Sequence, residues 1–165
     1  MNICQHCSTI QKTCCQQSDI IATDKDIERI SSKGYKDFYG FYKPQSYDYG
    51  QEEDPNWDKY TINKNGTMQM INKTPEGNCI FLGSYGCLLD LETRPVICRI
   101  YPYYYNEEQI LELDPYKCPK GVIQSDEEWL KTNLSVDSQS AEKWRKQFYL
   151  ELKEGKIHNE NRNML

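Results

Sequence analysis

Two stretches of the chain carry apolar residues at the three- and four-residue spacing of an amphipathic helix. The first follows Thr23, where Thr23 and Asp26 form a capping box, and its apolar stripe consists of Ile27 and Ile30. The second extends from about residue 138 to residue 153. One face of this longer segment carries Ala141, Trp144, Phe148 and Leu152. Both stretches are therefore predicted to be helices that pack one side against a core.

Two shorter helical segments are indicated by their start signals alone. Ser125 and Glu128 form a capping box ahead of Trp129 and Leu130. Residues 93–101 predict a helical turn that begins at Pro95, because proline is well suited to the first position of a helix. Helices are therefore expected at both of these places.

Alternating residues around turn signals predict two β-hairpins. The first covers residues 60–71 around Asn65-Gly66, and the second covers residues 103–113 around residues 106–108. A tighter turn at Gly83 and Gly86 is predicted between residues 77 and 91. Together with the helices, these strands indicate a small α+β fold.

The segment from residue 35 to residue 58 shows no clean period and is rich in Tyr, Pro, Asp and Glu. We expect it to be an irregular insert that is ordered only where its aromatic side chains are buried. The aromatic residues concerned include Phe38, Phe41 and Trp57.

The length of 165 residues predicts one domain over residues 1–153 and a polar C-terminal tail over residues 154–165. The net charge of −5 argues against a general nucleic-acid binder, because neutralising phosphates requires a basic face. The first residues contain no basic and apolar leader, and no stretch has the apolar length of a membrane span. We therefore expect a cytoplasmic, reducing location.

The chain's most informative chemistry lies in two blocks of four cysteines, with no cysteine between residues 15 and 79. The first block is Cys4, Cys7, Cys14 and Cys15, and the second is Cys79, Cys87, Cys98 and Cys118. Two residues between cysteines allow both sulfurs of a CxxC turn to reach one metal. The side chains of the adjacent pair Cys14 and Cys15 point apart, which suits a larger cluster or two sites better than one zinc ion.

Three interpretations of these thiols remain open. Cysteines can be small buried hydrophobic residues, they can form disulfides, or they can bind a metal. Grouping of eight cysteines in an expected reducing compartment favours metal ligation. The donors suit an iron–sulfur cluster, with a [4Fe–4S] cluster favoured, or zinc or iron ions as the alternative.

The second block lies within segments that resemble a known family. The sequence RPVICRIYP at residues 94–102, with GNCIFL at residues 77–82 and GCLLD at residues 86–90, is similar to the YkgJ-type CxxCxxCC family of zinc- or iron-chelating domains. The similarity covers residues 3–121 and closes on CPKG at residues 118–121. One departure is that six residues, where the family name implies two, separate Cys7 from Cys14.

The resemblance implies that all eight cysteines occupy family-like positions as metal ligands. The cysteine-rich segment is also distantly similar to that of flagellin lysine N-methylases, which is associated with an iron–sulfur cluster. That similarity implies a protein or peptide as the partner. The chain is shorter than expected for a complete enzyme of that kind.

Other residues near the cysteines are candidates for the same site. Arg94 and Arg99 flank Cys98 and could neutralise thiolates or bind a cofactor, or they could pair with carboxylates such as Asp90 or Glu92. His6, within the CxxC turn, is a weaker candidate ligand, and His158 is expected to be solvated. The tyrosines that follow Cys98 could line a pocket, although alternate positions facing a core are favoured; they are Tyr101, Tyr103, Tyr104 and Tyr105.

These observations leave three hypotheses for function. The protein is a metal or iron–sulfur binding module with a redox or sensing role, a cluster-dependent enzyme that modifies a protein or peptide, or a zinc-stabilised interaction domain without catalysis. Catalytic residues are not assigned by any of them. In each case we expect ligation from both blocks to close the long intervening loop and to organise the fold.

Overall fold

The computed structural model describes residues 14–45, 54–113 and 127–162, and side chains at residue 127 and residues 157–162 are outside the description. The helices in these ranges are α1 (Cys14–Gln17), α2 (Asp24–Ser31), α3 (Trp57–Thr61), α4 (Val96–Ile100), α5 (Glu127–Leu134) and α6 (Ser138–Arg162). The strands are β1 (Tyr39–Tyr42), β2 (Met68–Ile71), β3 (Leu82–Gly83), β4 (Gly86–Cys87), β5 (Tyr103–Tyr105) and β6 (Ile110–Leu113).

The strands in the described ranges form three antiparallel pairs, β1 with β2, β3 with β4, and β5 with β6. This arrangement of helices and short hairpins confirms the predicted α+β class. Two of the three pairs join neighbouring strands through a short turn, at the places where the sequence predicts a turn: residues 84–85 and residues 106–109. Within the β5–β6 pair, alternate residues Tyr103 and Tyr105 are buried, as expected for a strand that faces a core on one side.

The prediction of a hairpin over residues 60–71 is wrong. Residues 57–61 form α3, whose first residue, Trp57, is buried against Phe148. The turn at Asn65-Gly66 does form, but β2 pairs instead with β1, and Tyr39 lies opposite Ile71. The segment expected to be irregular therefore contains a strand, and Phe41 on that strand is 56% exposed rather than covered. Burial of Trp57 therefore favours a helix at residues 57–61 over the strand that the alternating pattern of the following residues predicts.

The predicted capping box at the start of α2 is confirmed. The backbone N–H of Asp26 donates to the Thr23 hydroxyl, and the backbone N–H of Thr23 donates to the Asp26 carboxylate, both over 3.0 Å. In α5, the predicted cap residue Ser125 lies outside the described residues, and the helix itself is present. These local signals place helices correctly because capping depends on contacts within one turn.

The longest helix, α6, buries the four residues predicted for its core face: Ala141, Trp144, Phe148 and Leu152. It does not end at residue 153 as expected, but continues through the polar residues to Arg162. No helix in the described ranges combines the length and the apolar character that crossing a membrane requires. The division into a domain over residues 1–153 and a separate tail stays a prediction.

A buried polar network joins α2, α4 and α6. The Thr23 hydroxyl donates to Glu151 over 2.6 Å, and Arg29 donates to the same carboxylate over 2.7 Å. Arg29 also binds Asp26, which is fully buried, and Asp26 accepts the backbone N–H of Val96 over 3.0 Å. The carboxylate of α2 thereby fixes the start of α4, the helix that carries Cys98.

Candidate metal centre

The backbone directly links one cysteine of the first block to one of the second. The N–H of Cys79 donates to the carbonyl oxygen of Cys15 over 2.7 Å. Two isolated antiparallel bridges hold the chain near this contact: Ile21 pairs with Met70, and Lys73 pairs with Cys79. Backbone pairing thus brings together the two ends of the segment between Cys15 and Cys79.

A turn and a hairpin bring Cys87 to the same place. The N–H of Leu82 donates to the carbonyl oxygen of Cys79 over 2.9 Å, which turns the chain into β3. Leu82 in turn lies opposite Cys87 in the β3–β4 pair. The turn requires the positive φ of 94° at Gly86, a conformation that favours glycine. The predicted turn between Cys79 and Cys87 is confirmed.

Cys98 lies in the middle of α4 and is partly buried against the core. Its N–H donates to the carbonyl oxygen of Pro95 over 2.9 Å, within the helical turn that the sequence predicts. The start of the helix is held by Asp26 through the N–H of Val96. Since α4 packs along α6, the position of Cys98 depends on the core rather than on a surface loop.

The thiols of Cys15, Cys79, Cys87 and Cys98 are near enough to affect one another's ionisation, and we call them the four-thiol cluster. Burial raises the pKa of Cys98 well above its ordinary value, and negative charges at Cys15, Cys79 and Cys87 raise it further. Burial likewise raises the pKa of Cys79 to about 12, with added contributions from Cys15 and Cys87. Sulfurs from both blocks therefore share one low-dielectric region.

The four-thiol cluster is not arranged as a metal site in the structure. Within residues 14–45, 54–113 and 127–162, no three Cys, His, Asp or Glu side chains are arranged so that they could hold a metal ion. A tetrahedral zinc ion needs sulfur–sulfur distances of about 3.8 Å, from Zn–S bonds of about 2.3 Å, whereas charges interact over longer distances. The four thiols thus influence one another's ionisation, although their side chains are not arranged around a metal position. Their chemistry nevertheless fits zinc, iron or an iron–sulfur cluster, all of which take thiolate ligands.

The adjacent pair Cys14 and Cys15 begins helix α1. Successive residues of a helix are separated by about 100° around its axis, so their side chains do not face each other. Among neighbouring thiols, Cys15 contributes the largest charge effect on both Cys79 and Cys98. The charge of Cys15 therefore reaches the buried thiols of Cys79 and Cys98, and Cys15 belongs to the four-thiol cluster.

The two candidate arginines have different surroundings. Arg99 is buried, and its guanidinium donates to the carbonyl oxygens of Arg94 and Glu92 over 2.9 and 2.6 Å. Its distance to the Glu92 carboxylate, which is 83% exposed, is 3.9 Å. Arg94 instead donates to the carbonyl oxygen of Leu89 and lies beside Cys87.

Several other candidates are not part of this centre in the structure or lie outside the described residues. Cys4, Cys7, Cys118 and His6 are outside the description, as is the side chain of His158, so their roles stay predictions. A shallow surface pocket between α2, β2 and α6 is lined by residues such as Thr23, Gln69 and Glu151, and not by thiols. The polar groups that line this pocket already bind one another: the Thr23 hydroxyl donates to Glu151, and the Gln69 amide donates to the carbonyl oxygen of Ala22.

The sequence predicts Asp26 only as part of a helix cap, whereas in the structure it also binds the first residue of α4. A capping aspartate usually remains near solvent, but Asp26 is fully buried and its second acceptor bond reaches 70 residues along the chain to Val96. The only sequence signal was the capping box itself, which is a local pattern. A contact of this kind could not be read from spacing.

Comparison with known proteins gives one finding. A family model described as "CxxCxxCC: Putative zinc- or iron-chelating domain" matches residues 3–119. No curated protein and no solved structure matches the chain. The family match confirms the resemblance that was inferred from the segments around Cys79, Cys87 and Cys98, while the distant similarity to flagellin lysine N-methylases stays a prediction.

Proposed function

Since the chain belongs to the CxxCxxCC family of zinc- or iron-chelating domains, we propose that the four-thiol cluster holds one metal centre through thiolates. The observation that carries this proposal is the convergence of Cys15 from the first block with Cys79, Cys87 and Cys98 from the second. Four thiolates complete the ligand set of either a structural zinc ion or a [4Fe–4S] cluster.

For the occupant, we propose a [4Fe–4S] cluster, with zinc or iron ions as the alternative. Both alternatives use the same four sulfurs, so metal and sulfide analysis has to separate them. The chemistry supplied by a cluster would be one-electron transfer, and that supplied by zinc would be structural. The chain's own residues bind the centre, cover it partly and place positive charge beside it.

The groups around the four-thiol cluster support a binding or redox module rather than an acid–base enzyme. Asp26, a carboxylate whose charge acts on Cys98, is occupied by the N–H groups of Thr23 and Val96 and by Arg29. Arg99 is occupied by backbone carbonyl oxygens. Modification of a protein or peptide therefore stands as the second hypothesis, and it rests on the methylase resemblance alone.

The proposal is tested by anaerobic purification followed by analysis of iron, zinc and acid-labile sulfide. A brown protein with equal iron and sulfide that absorbs near ~400 nm would carry a cluster, through its thiolate ligation. A colourless protein with stoichiometric zinc would favour the zinc-stabilised interaction domain. A protein that binds neither metal would contradict the proposal.

Cysteine variants test which sulfurs form the centre. We expect Cys15→Ala and Cys98→Ala to lose the metal of this centre, whereas Cys14→Ala, its neighbour on α1, should retain it. Ser84→Ala, in the turn of the β3–β4 hairpin, controls for disturbance of the loop without removal of a sulfur. Retention of all metal by Cys15→Ala together with loss by Cys14→Ala would show that the wrong member of the pair was assigned.

A further inference from the structure

The strand pair β1–β2 has one covered edge and one open edge. On the covered side, the N–H of Ile71 donates to the carbonyl oxygen of Ile20 over 2.9 Å. Because the backbone groups of successive residues in a strand point to opposite sides, the neighbouring residues Met70 and Asn72 direct theirs toward β1. The N–H of Asn72 accordingly donates to the carbonyl oxygen of Phe38 over 2.8 Å. Strand β2 is therefore the middle strand, and β1 is the outer one.

The register places the outward backbone groups of β1 at Tyr39 and Phe41. Gly40 lies opposite Met70, so Gly40 and Tyr42, two residues later, direct their N–H and carbonyl groups at β2. The same groups of Tyr39 and Phe41 point away from β2, and no strand in residues 14–45, 54–113 and 127–162 pairs with them there. An outer strand of this kind is a template on which a further strand can be added.

Side-chain contacts hold β1 in its extended form. The amide of Asn72 spans the strand, because its nitrogen donates to the carbonyl oxygen of Asp37 over 2.9 Å and its oxygen accepts the hydroxyl of Tyr42 over 2.6 Å. Beyond the end of the strand, the N–H of Gln45 donates to the Asp19 carboxylate over 2.8 Å. The edge is therefore preformed, which lowers the entropic cost of binding to it.

The open edge combines exposed aromatic side chains with lysines on either side of the strand. Phe41 is 56% exposed, and Tyr39, on the same face, is 39% exposed. Lys36 and Lys43 are exposed, and neither forms an ion pair within the described part of the chain. Asp37 is the one acidic residue between these lysines in the sequence. Since the whole chain has a net charge of −5, this positive edge is a local feature.

We propose that the outer edge of β1 binds an extended segment of another protein as an added strand, and that this segment carries acidic residues on both sides of a short β-forming core. The backbone groups of Tyr39 and Phe41 supply the hydrogen bonds, and Lys36 and Lys43 pair with the acidic flanks. A second copy of this chain fits less well, because each copy would bring two lysines and one aspartate to the same interface. Lysine beside an edge strand also opposes self-pairing.

The test is a titration of the isotope-labelled full-length protein with a synthetic peptide that has glutamates at both ends of a Val-Thr-Val-Thr core. The control peptide has the same core with lysines at both ends. Backbone amide NMR signals measure the affinity, and amide hydrogen exchange shows which N–H groups become hydrogen-bonded. The protein variants are Lys36→Gln and Lys43→Gln. Lys143→Gln is the matched control, because Lys143 is an exposed lysine of α6 that forms no ion pair with the described residues.

Hydrogen exchange tests the backbone pairing. In the free protein, the N–H groups of Tyr39 and Phe41 should exchange fast, whereas those of Gly40 and Tyr42 should exchange slowly because they bond to β2. The acidic peptide should protect Tyr39 and Phe41. Absence of this protection would overturn the inference. Slow exchange at Tyr39 and Phe41 in the free monomer would overturn it as well, because another part of this chain would then cover the edge.

The lysine variants test the chemistry of the partner. Lys36→Gln and Lys43→Gln should each weaken binding of the acidic peptide by about 2- to 5-fold, the effect of losing one exposed ion pair, and Lys143→Gln should match the wild type. Equal binding of the acidic and the lysine-ended peptide would overturn the inference, as would equal losses in all three variants. A dimer in sedimentation that protects the same N–H groups would identify a second copy as the occupant and overturn it too. Metal content does not enter these measurements, so each of these results leaves the proposed function standing.

Discussion

Replacement of Asp26 by alanine should remove a large part of the protein's stability, because this carboxylate joins α2 to α4 and binds Arg29, which in turn binds Glu151 of α6. It accepts the backbone N–H groups of Thr23 and Val96, each over 3.0 Å, and it binds Arg29. Thr23 and Val96 are 3% and 0% exposed, so water cannot replace the lost acceptor. The substitution therefore leaves two buried donors without a partner.

The magnitude follows from these contacts. An unsatisfied buried N–H costs about 1–3 kcal/mol, so two of them cost about 2–6 kcal/mol. Loss of the Asp26 partner costs less at Arg29 than it would at a fully buried ion, since the Arg29 side chain is 26% exposed and still binds Glu151 at 2.7 Å. Against a domain stability of roughly 5–15 kcal/mol, the loss is large enough to unfold a marginal protein.

Asp26→Asn should cost less than Asp26→Ala. Its amide oxygen can still accept from Val96 and Arg29, while the amide nitrogen would face the N–H of Thr23. One donor is then unsatisfied, which corresponds to about 1–3 kcal/mol. The ordering of the two variants is the part of the prediction that depends most directly on the structure.

Urea unfolding followed by far-UV circular dichroism measures these free energies. Glu28→Ala is the matched control, because it removes the same charge from the same helix at an exposed position whose ion pair with Lys25 lies at the surface. We expect that control to change stability by no more than about 0.5 kcal/mol. A loss below about 1 kcal/mol for Asp26→Ala, or a loss equal to that of Glu28→Ala, would refute the assignment of Asp26 as a buried junction.

Three further predictions concern α6. Phe148→Ala should lose about 3–5 kcal/mol of unfolding free energy, because Phe148 is fully buried, whereas Leu150→Ala, 58% exposed on the same helix, should change little; equal losses would contradict the assigned face. Asp137→Ala should lose about 1 kcal/mol of unfolding free energy in urea, since Asp137 accepts the N–H of Ser140 over 2.7 Å. Asp137→Asn should retain most of that stabilisation, because its amide oxygen can accept the same hydrogen bond. Burial alone would raise the pKa of Glu151, but hydrogen bonds, the largest from Arg29, hold it below its usual value. Its stabilising contribution is therefore complete above the unfolded pKa of about 4.3 and is lost as the pH falls through the lower folded value. Glu151→Gln should accordingly lose less stability than the wild type between about pH 6 and about pH 3, and parallel pH profiles would count against the Arg29 contact.

Much of the local structure was predictable because it depends on residues close in sequence. The capping box of Thr23 and Asp26, the apolar face of α6 and the hairpin over residues 103–113 each arise from contacts within a few residues. The same holds for the turn between Cys79 and Cys87, where glycine permits the left-handed backbone. Family membership was likewise contained in the spacing of residues around Cys98.

Partner choice between distant segments was not predictable from the same patterns. Strand β2 has an alternating sequence that suits a hairpin with residues 60–63, yet it pairs with β1, about thirty residues earlier. The entropic cost of closing a loop rises only slowly with its length, so proximity in sequence does not decide between two partners. Packing of Trp57 against Phe148 decides it instead.

For the candidate centre, the sequence by itself determined that eight cysteines stand in two blocks and that all eight lie within the segment that matches the family. Only the tertiary structure decided that the backbone of Cys15 meets that of Cys79, and that Arg99 and Arg94 both donate to backbone carbonyl oxygens. Ligand identity is a property of residue type and spacing, which the sequence contains. Convergence of ligands depends on which way each element faces, and that is fixed by burial of the core.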